Sequence, residues 1–123
     1  MSPEEVVTAF ITAVGRGDVD EALKHMAADC EYDNVPIGKA IGHEAIRQTL
    51  AMFVGPDNPA DFEIVRQAAQ GNVVFNERVD RLVVGGKKVE LPVAGVWEVD
   101  AASEKITLWR DYFDMGQFSS QMS

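Results

Sequence analysis

Residues 72–99 read NVVFNERVDRLVVGGKKVELPVAGVWEV, two runs rich in β-branched residues joined by Gly85-Gly86. Two such runs on either side of a Gly-Gly pair predict a β-hairpin, with strands over 72–84 and 87–99. The same period of two extends outward. A strand is expected at 61–69, joined through Gln70-Gly71-Asn72, and another at 104–113 beyond a loop at Asp100–Ser103.

Upstream of GPDNPAD (Gly55–Asp61), the densest turn signal in the chain, the period becomes helical. Ser2-Pro3-Glu4-Glu5 combines an N-cap, a proline in the first turn and the acid of a capping box. Val6, Val7, Phe10, Ile11 and Val14 follow at helical spacing until Gly15 and Gly17. A second helix is expected from the Asp18/Glu21 pair, with Val19, Ala22, Leu23 and Met26 as its apolar stripe. A short strand around Cys30–Asn34 stops at Pro36 and Gly38. A third helix is expected over 43–54, with Ile46, Leu50 and Phe53 on one side. Helices first and antiparallel strands after, without βαβ alternation, define an α+β fold in which a long sheet curls around the helices. Residues 1–123 are expected to form one domain.

Composition narrows the function. Hydrophobic residues make up 46% and charged residues 25%, an ordinary globular balance. The formal net charge of −9 argues against a nucleic-acid partner, which needs a basic face. No apolar run approaches a membrane span and no signal-peptide pattern opens the chain, so a cytoplasmic protein is expected. The single cysteine, Cys30, allows no intramolecular disulfide, and it reads as a small buried residue. Two isolated histidines suggest no metal site: His43 reads as a helix-start residue and His25 as a surface one. Gly85-Gly86 precedes no helix and is no phosphate loop.

The strands raise a sharper question, because charges interrupt them. In 72–84, Val73, Phe75, Glu77, Val79, Arg81 and Val83 share one face, and Val74, Asn76, Arg78, Asp80 and Leu82 the other. In the last strand, which runs into WRDYFDM (109–115), Thr107, Trp109, Asp111 and Phe113 share a face; Leu108, Arg110 and Tyr112 share the opposite one. If the first of these is covered, Asp111 lies desolvated between aromatics, which raises a carboxyl pKa and suits proton transfer. Alternation alone leaves the solvated alternative open, since antiparallel sheets commonly keep one face wet. Tyr32 and Asn34, two apart in EYDNVPIG, point the same way and could together orient a water molecule.

Three blocks, YDNVP (32–36), NERVDRL (76–82) and WRDYFD (109–114), together resemble the limonene-1,2-epoxide hydrolases. The resemblance spans nearly the whole chain from the first helix, without the family's longer N-terminal lead. It implies a cone-like α+β fold, a curved, mixed but mostly antiparallel sheet wrapped around N-terminal helices, as in nuclear transport factor 2, ketosteroid isomerases and SnoaL-like polyketide cyclases. It also implies one-step hydrolysis without cofactor or metal. Asp111 falls on the general base, Tyr32 and Asn34 on the residues holding the attacking water, Asp80 on the general acid and Arg78 on the bridging arginine. Phe53, Leu82, Val93, Phe113 and Phe118 would carry the apolar substrate pocket. Gly95 and Asp57 fall where larger apolar residues are expected, which would reshape that pocket.

The expected function is therefore hydrolysis of a small apolar epoxide by water to a vicinal diol. An isomerase or cyclase on the same scaffold, or a non-catalytic ligand-binding module, is the alternative. Arg110 and Asp114 are expected on the outer face. There Val73, Phe75, Val79, Val83, Leu108 and Tyr112 would form an apolar surface that pairs the chain as a homodimer.

Overall fold

The computed structural model describes residues 1–123. Helix α1 (Pro3–Gly15) begins as its sequence predicts: Glu5 N–H donates to Ser2 Oγ at 3.2 Å, and Ser2 N–H donates to Glu5 Oε1 at 2.8 Å. Its apolar side, Val6, Val7, Phe10, Ile11 and Val14, is buried. Helix α2 (Val19–Leu23) is capped by Asp18, whose carboxylate accepts from Glu21 N–H.

The chain then enters strand β1 (Met26–Asn34), longer than expected, followed by β2 (Gly38–Ile41), which the sequence reading missed. Met26 is thus a strand residue and not the end of the α2 stripe. Helix α3 (His43–Ala51) starts at His43, whose ring meets the Met26 carbonyl at 3.0 Å. It stops before Phe53, which lies in the following turn. Strands β3 (Asp61–Gln70), β4 (Val73–Val84), β5 (Lys87–Asp100) and β6 (Lys105–Tyr112) follow close to their expected bounds. The β4–β5 turn places Gly85 and Gly86 at φ 57° and 81°, both in the left-handed region that suits glycine. A final helix, α4 (Met115–Met122), was not anticipated. Asp114 caps it by accepting from Gly116 N–H at 2.9 Å, so that carboxylate serves the helix and not an outer-face contact.

One six-stranded sheet results, in the order β2-β1-β6-β5-β4-β3. Only β1 and β6 run parallel; every other pair is antiparallel. The expected mixed, mostly antiparallel α+β architecture is observed. The main core lies between α1 and the inner sheet face, and α4 packs along β5 over a smaller cluster of Val89, Leu91 and Val93.

The face assignment in β4 holds along its length: Val74, Asn76, Arg78, Asp80 and Leu82 are buried, and Phe75, Glu77 and Val83 are exposed. In β6 it holds from Leu108 onward but fails at Thr107. Glu98 pairs with Leu108 and Val99 with Ile106, so Thr107 is the extra residue of a bulge. It is exposed, while Ile106 turns inward. No helix is long and apolar enough to cross a membrane.

Candidate active site

The parallel β1–β6 pair sets the site's width. Tyr32 is the register partner of Trp109, and Asn34 that of Asp111. Trp109 lies parallel to Tyr32 with ring centroids 3.8 Å apart and to Trp97 of β5 at 5.0 Å, each pair within 8° of parallel. Phe10 of α1 meets both indoles edge-on. This aromatic stack spans three strands and stiffens the floor from which the polar groups project.

Arg78, 2% exposed, occupies the centre. Its Nε and Nη2 donate to Asp80 Oδ1 and Oδ2 at 3.1 and 3.0 Å. Its Nη1 and Nη2 donate to Asp111 Oδ1 and Oδ2 at 3.2 and 2.8 Å. One guanidinium thus grips two carboxylates from different strands, each through both oxygens. Asp111 also accepts from Trp109 Nε1 at 2.8 Å. Asp80 has no donor beyond Arg78 among the side-chain bonds.

The electrostatics act on Asp80, Arg78 and Tyr32. Burial pushes the Asp80 carboxyl above its usual value of 3.8; Arg78 opposes the rise and the nearby Asp111 charge adds to it. Burial opposes the charge on Arg78, but Asp111 and Asp80 outweigh it and hold the guanidinium above its usual range. Burial, followed by the charge of Asp111, drives the Tyr32 phenol well above its ordinary value, so Tyr32 stays neutral. Asn34 Oδ1 is buried without a hydrogen-bond partner. An unpaired acceptor of that kind costs stability unless something polar meets it.

A cavity of about 60 Å³ lies over these groups, lined by Tyr32, Asn34, Asp80 and Asp111 together with an apolar wall. All five expected pocket residues, Phe53, Leu82, Val93, Phe113 and Phe118, lie in that wall. Phe113 and Phe118 meet edge-to-face at 6.4 Å, so the unanticipated α4 supplies one side of the opening. Leu91 and Phe62 belong to the wall as well. Leu91 could have been found from its alternation with Val93.

Two expectations about the pocket need correction. Gly95 does not line the cavity but lies beneath the charge cluster. A Cβ there would come within 2.6 Å of both Arg78 Nη1 and Asn76 Oδ1, and 2.9 Å from Trp97 Nε1. Asp57 is exposed in the turn after α3 and is not part of the wall. Two polar partners were missed, the Trp109 indole on Asp111 and the Asn76 amide on Arg78. Both lie two residues from the charge they serve, on the same strand face.

Outside the site, Cys30 is fully buried, with its thiol pushed up to about 12 by burial first and by its acidic neighbours Asp29 and Glu31 second. Arg110 faces outward as expected, paired with Asp33 at 2.8 Å and Glu31 at 3.5 Å. No three His, Cys, Asp or Glu side chains converge as ligands of a metal ion would.

A buried Asp–Arg–Asp cluster under an apolar cavity, on a curved α+β sheet, is an arrangement suited to acting on a small molecule. The chain belongs to the limonene-1,2-epoxide hydrolase family, whose catalytic domain matches residues 1–123, and it is an epoxide hydrolase at that level. It is 36% identical over 111 residues to epoxide hydrolase EphG of Mycobacterium tuberculosis (strain ATCC 25618 / H37Rv), covering 89% of this chain and 71% of that one. Its fold is similar to a solved LEH-like epoxide hydrolase of M. tuberculosis, with a TM-score of 0.81 and 31% identity over 97% of this chain and 87% of the other. A SnoaL-like polyketide cyclase from Shewanella denitrificans OS-217 shares the fold alone, at a TM-score of 0.85 but 18% identity, with 98% and 96% of the two chains covered.

Proposed function

We propose that the chain hydrolyses an apolar epoxide to a vicinal diol in one step. The observation that carries this reading is the sharing of Arg78 between two buried carboxylates at the base of an apolar cavity. Asp111 takes a proton from a water molecule that Asn34 Oδ1 and the neutral Tyr32 hydroxyl hold against it. That water attacks a ring carbon. As the carbon–oxygen bond breaks, Asp80, whose pKa burial raises, delivers a proton to the epoxide oxygen as the general acid. Water has then added across the bond. Asp111 holds the proton that Asp80 lost, and its return resets the pair. Arg78 stays charged throughout and keeps both carboxylates oriented.

The substrate is mostly apolar. Arg78 is fully engaged, so an anionic substituent would be desolvated without a cationic partner. Apolar walls discriminate weakly, by roughly 1–3 kcal/mol per methylene, so several cyclic and linear epoxides should be accepted. A panel of terpene, styrene, cyclohexene and fatty-acid epoxides, with a charged glycidyl phosphate beside them, tests this. Diols are expected from apolar members. Preference for the phosphate overturns the apolar pocket, and no diol from any epoxide favours an isomerase or a binding module.

The outer sheet face presents Phe75 at 47%, Tyr112 at 47%, Val65 at 43% and Val83 at 39% exposure, with Val73 and Val79 half-buried beside them. A second copy covering that face makes a homodimer. Light scattering at micromolar concentration is expected to give twice the chain mass, and a monomer would refute the pairing. The cytoplasm is the proposed compartment, checked by cell fractionation.

A further inference from the structure

Arg78 has five N–H bonds, and all five are used: two on Asp80, two on Asp111 and one, from Nη1, on Asn76 Oδ1 at 3.1 Å. The last partner is the only one that cannot ionise. The same oxygen accepts from Trp97 Nε1 at 3.2 Å, and Asn76 Nδ2 donates to Gln67 Oε1 at 3.0 Å. Arginine and indole nitrogens can only donate, so the oxygen of the Asn76 amide must face them and its NH₂ must face Gln67. Gln67 in turn donates to Thr8 Oγ1 of α1 at 3.1 Å. The guanidinium is therefore clamped from its third side by an amide anchored through β3 to α1. Gly95 leaves the room that lets the amide and the guanidinium meet.

We propose that Asn76 is a positioning residue of the hydrolase, which fixes the rotation of the Arg78 guanidinium with a neutral acceptor and so leaves its charge to Asp80 and Asp111 alone. The inference rests on the proposed hydrolysis for its catalytic consequence, but not for its electrostatic one. A neutral acceptor matters because the cluster carries one cation. In the proposed division of roles, with Asp111 as base and Asp80 as acid, one cation faces one anion. A carboxylate in place of the amide would add a second anion, and its two donors, Arg78 and Trp97, would hold it ionised. Arg78 and Asp111 bear most on Asp80, with Asp61 farther off; Tyr32 faces Asp111.

Two variants and two readouts test the role. Carbon-13 NMR of the aspartate carboxyls follows the titration of Asp80 without any substrate. In Asn76→Asp its midpoint is expected to rise by about one pH unit or more, because a like charge is added across a shared guanidinium. In the near-isosteric Asn76→Leu, Arg78 and Trp97 each lose an acceptor. There kcat should fall about tenfold or more while KM stays within about threefold, as for a group acting through the transition state. An unmoved Asp80 midpoint in Asn76→Asp, or full kcat in Asn76→Leu, would overturn the proposal. Should the unmodified protein hydrolyse no epoxide while Asn76→Asp still moves Asp80, the positioning role stands and the hydrolase reading falls.

Discussion

Asp80 and Asp111 lie on strands that do not touch, β4 and β6, yet both accept from the same nitrogen, Arg78 Nη2, at 3.0 and 2.8 Å. Strand β5 separates them in the sheet, and curvature with a long arginine closes the gap. Neither acid can therefore change charge without the other responding. The proposed acid and base are thus coupled through one cation.

Asp80→Asn and Asp111→Asn should each retain the fold and lose turnover, because the proposed mechanism puts both proton transfers in one transition state. Each variant is expected below about a tenth of the normal rate, at least ~1.4 kcal/mol of barrier. Steady-state kinetics with a terpene oxide, alongside circular dichroism, checks it. A variant that kept more than a tenth would remove that carboxylate from its role.

Stability should depend on pH through Asp80 with a definite sign. Its folded pKa is raised above the ordinary 3.8, so its contribution is fully present below 3.8 and is lost as pH rises through the folded value. Asn mimics the neutral form and cannot ionise. The Tm of the unmodified protein minus that of Asp80→Asn should fall across this window and then level off. A difference that rose with pH would mean that Asp80 is ionised more easily in the fold than out of it.

Gly95→Ala should damage the site from below. The added methyl would meet Arg78 Nη1 and Asn76 Oδ1 at 2.6 Å, where both are buried and hydrogen-bonded. Overpacking of this type costs about 1–3 kcal/mol, and the displaced guanidinium should lower kcat as well. Denaturant melts and kinetics together report it. Unchanged stability and rate would show that the cluster yields freely.

The two faces of β4 were legible from its alternation, but alternation left open which one is covered; the structure packs the face of Arg78 and Asp80 inward. Alternation misled at Thr107, since a bulge shifts the period by one residue without leaving a glycine or proline to mark it. Strand β2, reading GKAI, is too short and too exposed to carry a pattern. Helix α4, MGQFSSQM, has weak helix formers and no buried residue; its Asp114 cap looked like one more charge of the strand before it. The site's charged members could be named from three sequence blocks. The partners that hold them, Trp109 Nε1 as a donor and Asn76 Oδ1 as an acceptor, emerged only from geometry, because an indole or an amide in a strand has many other uses. Gly95 shows the same limit: its place under Arg78 depends on the β4–β5 register, which pairs it with Asn76.

The central claim is that water attacks the epoxide directly, with Asp111 as base and not as nucleophile. A single turnover in heavy-oxygen water, with protein in excess over substrate, followed by mass spectrometry of both, reads this out. The label is expected in the diol and in no peptide of the protein. Label in the carboxylate of Asp111 or Asp80, with an unlabelled first diol, would mean an ester intermediate and would contradict the account.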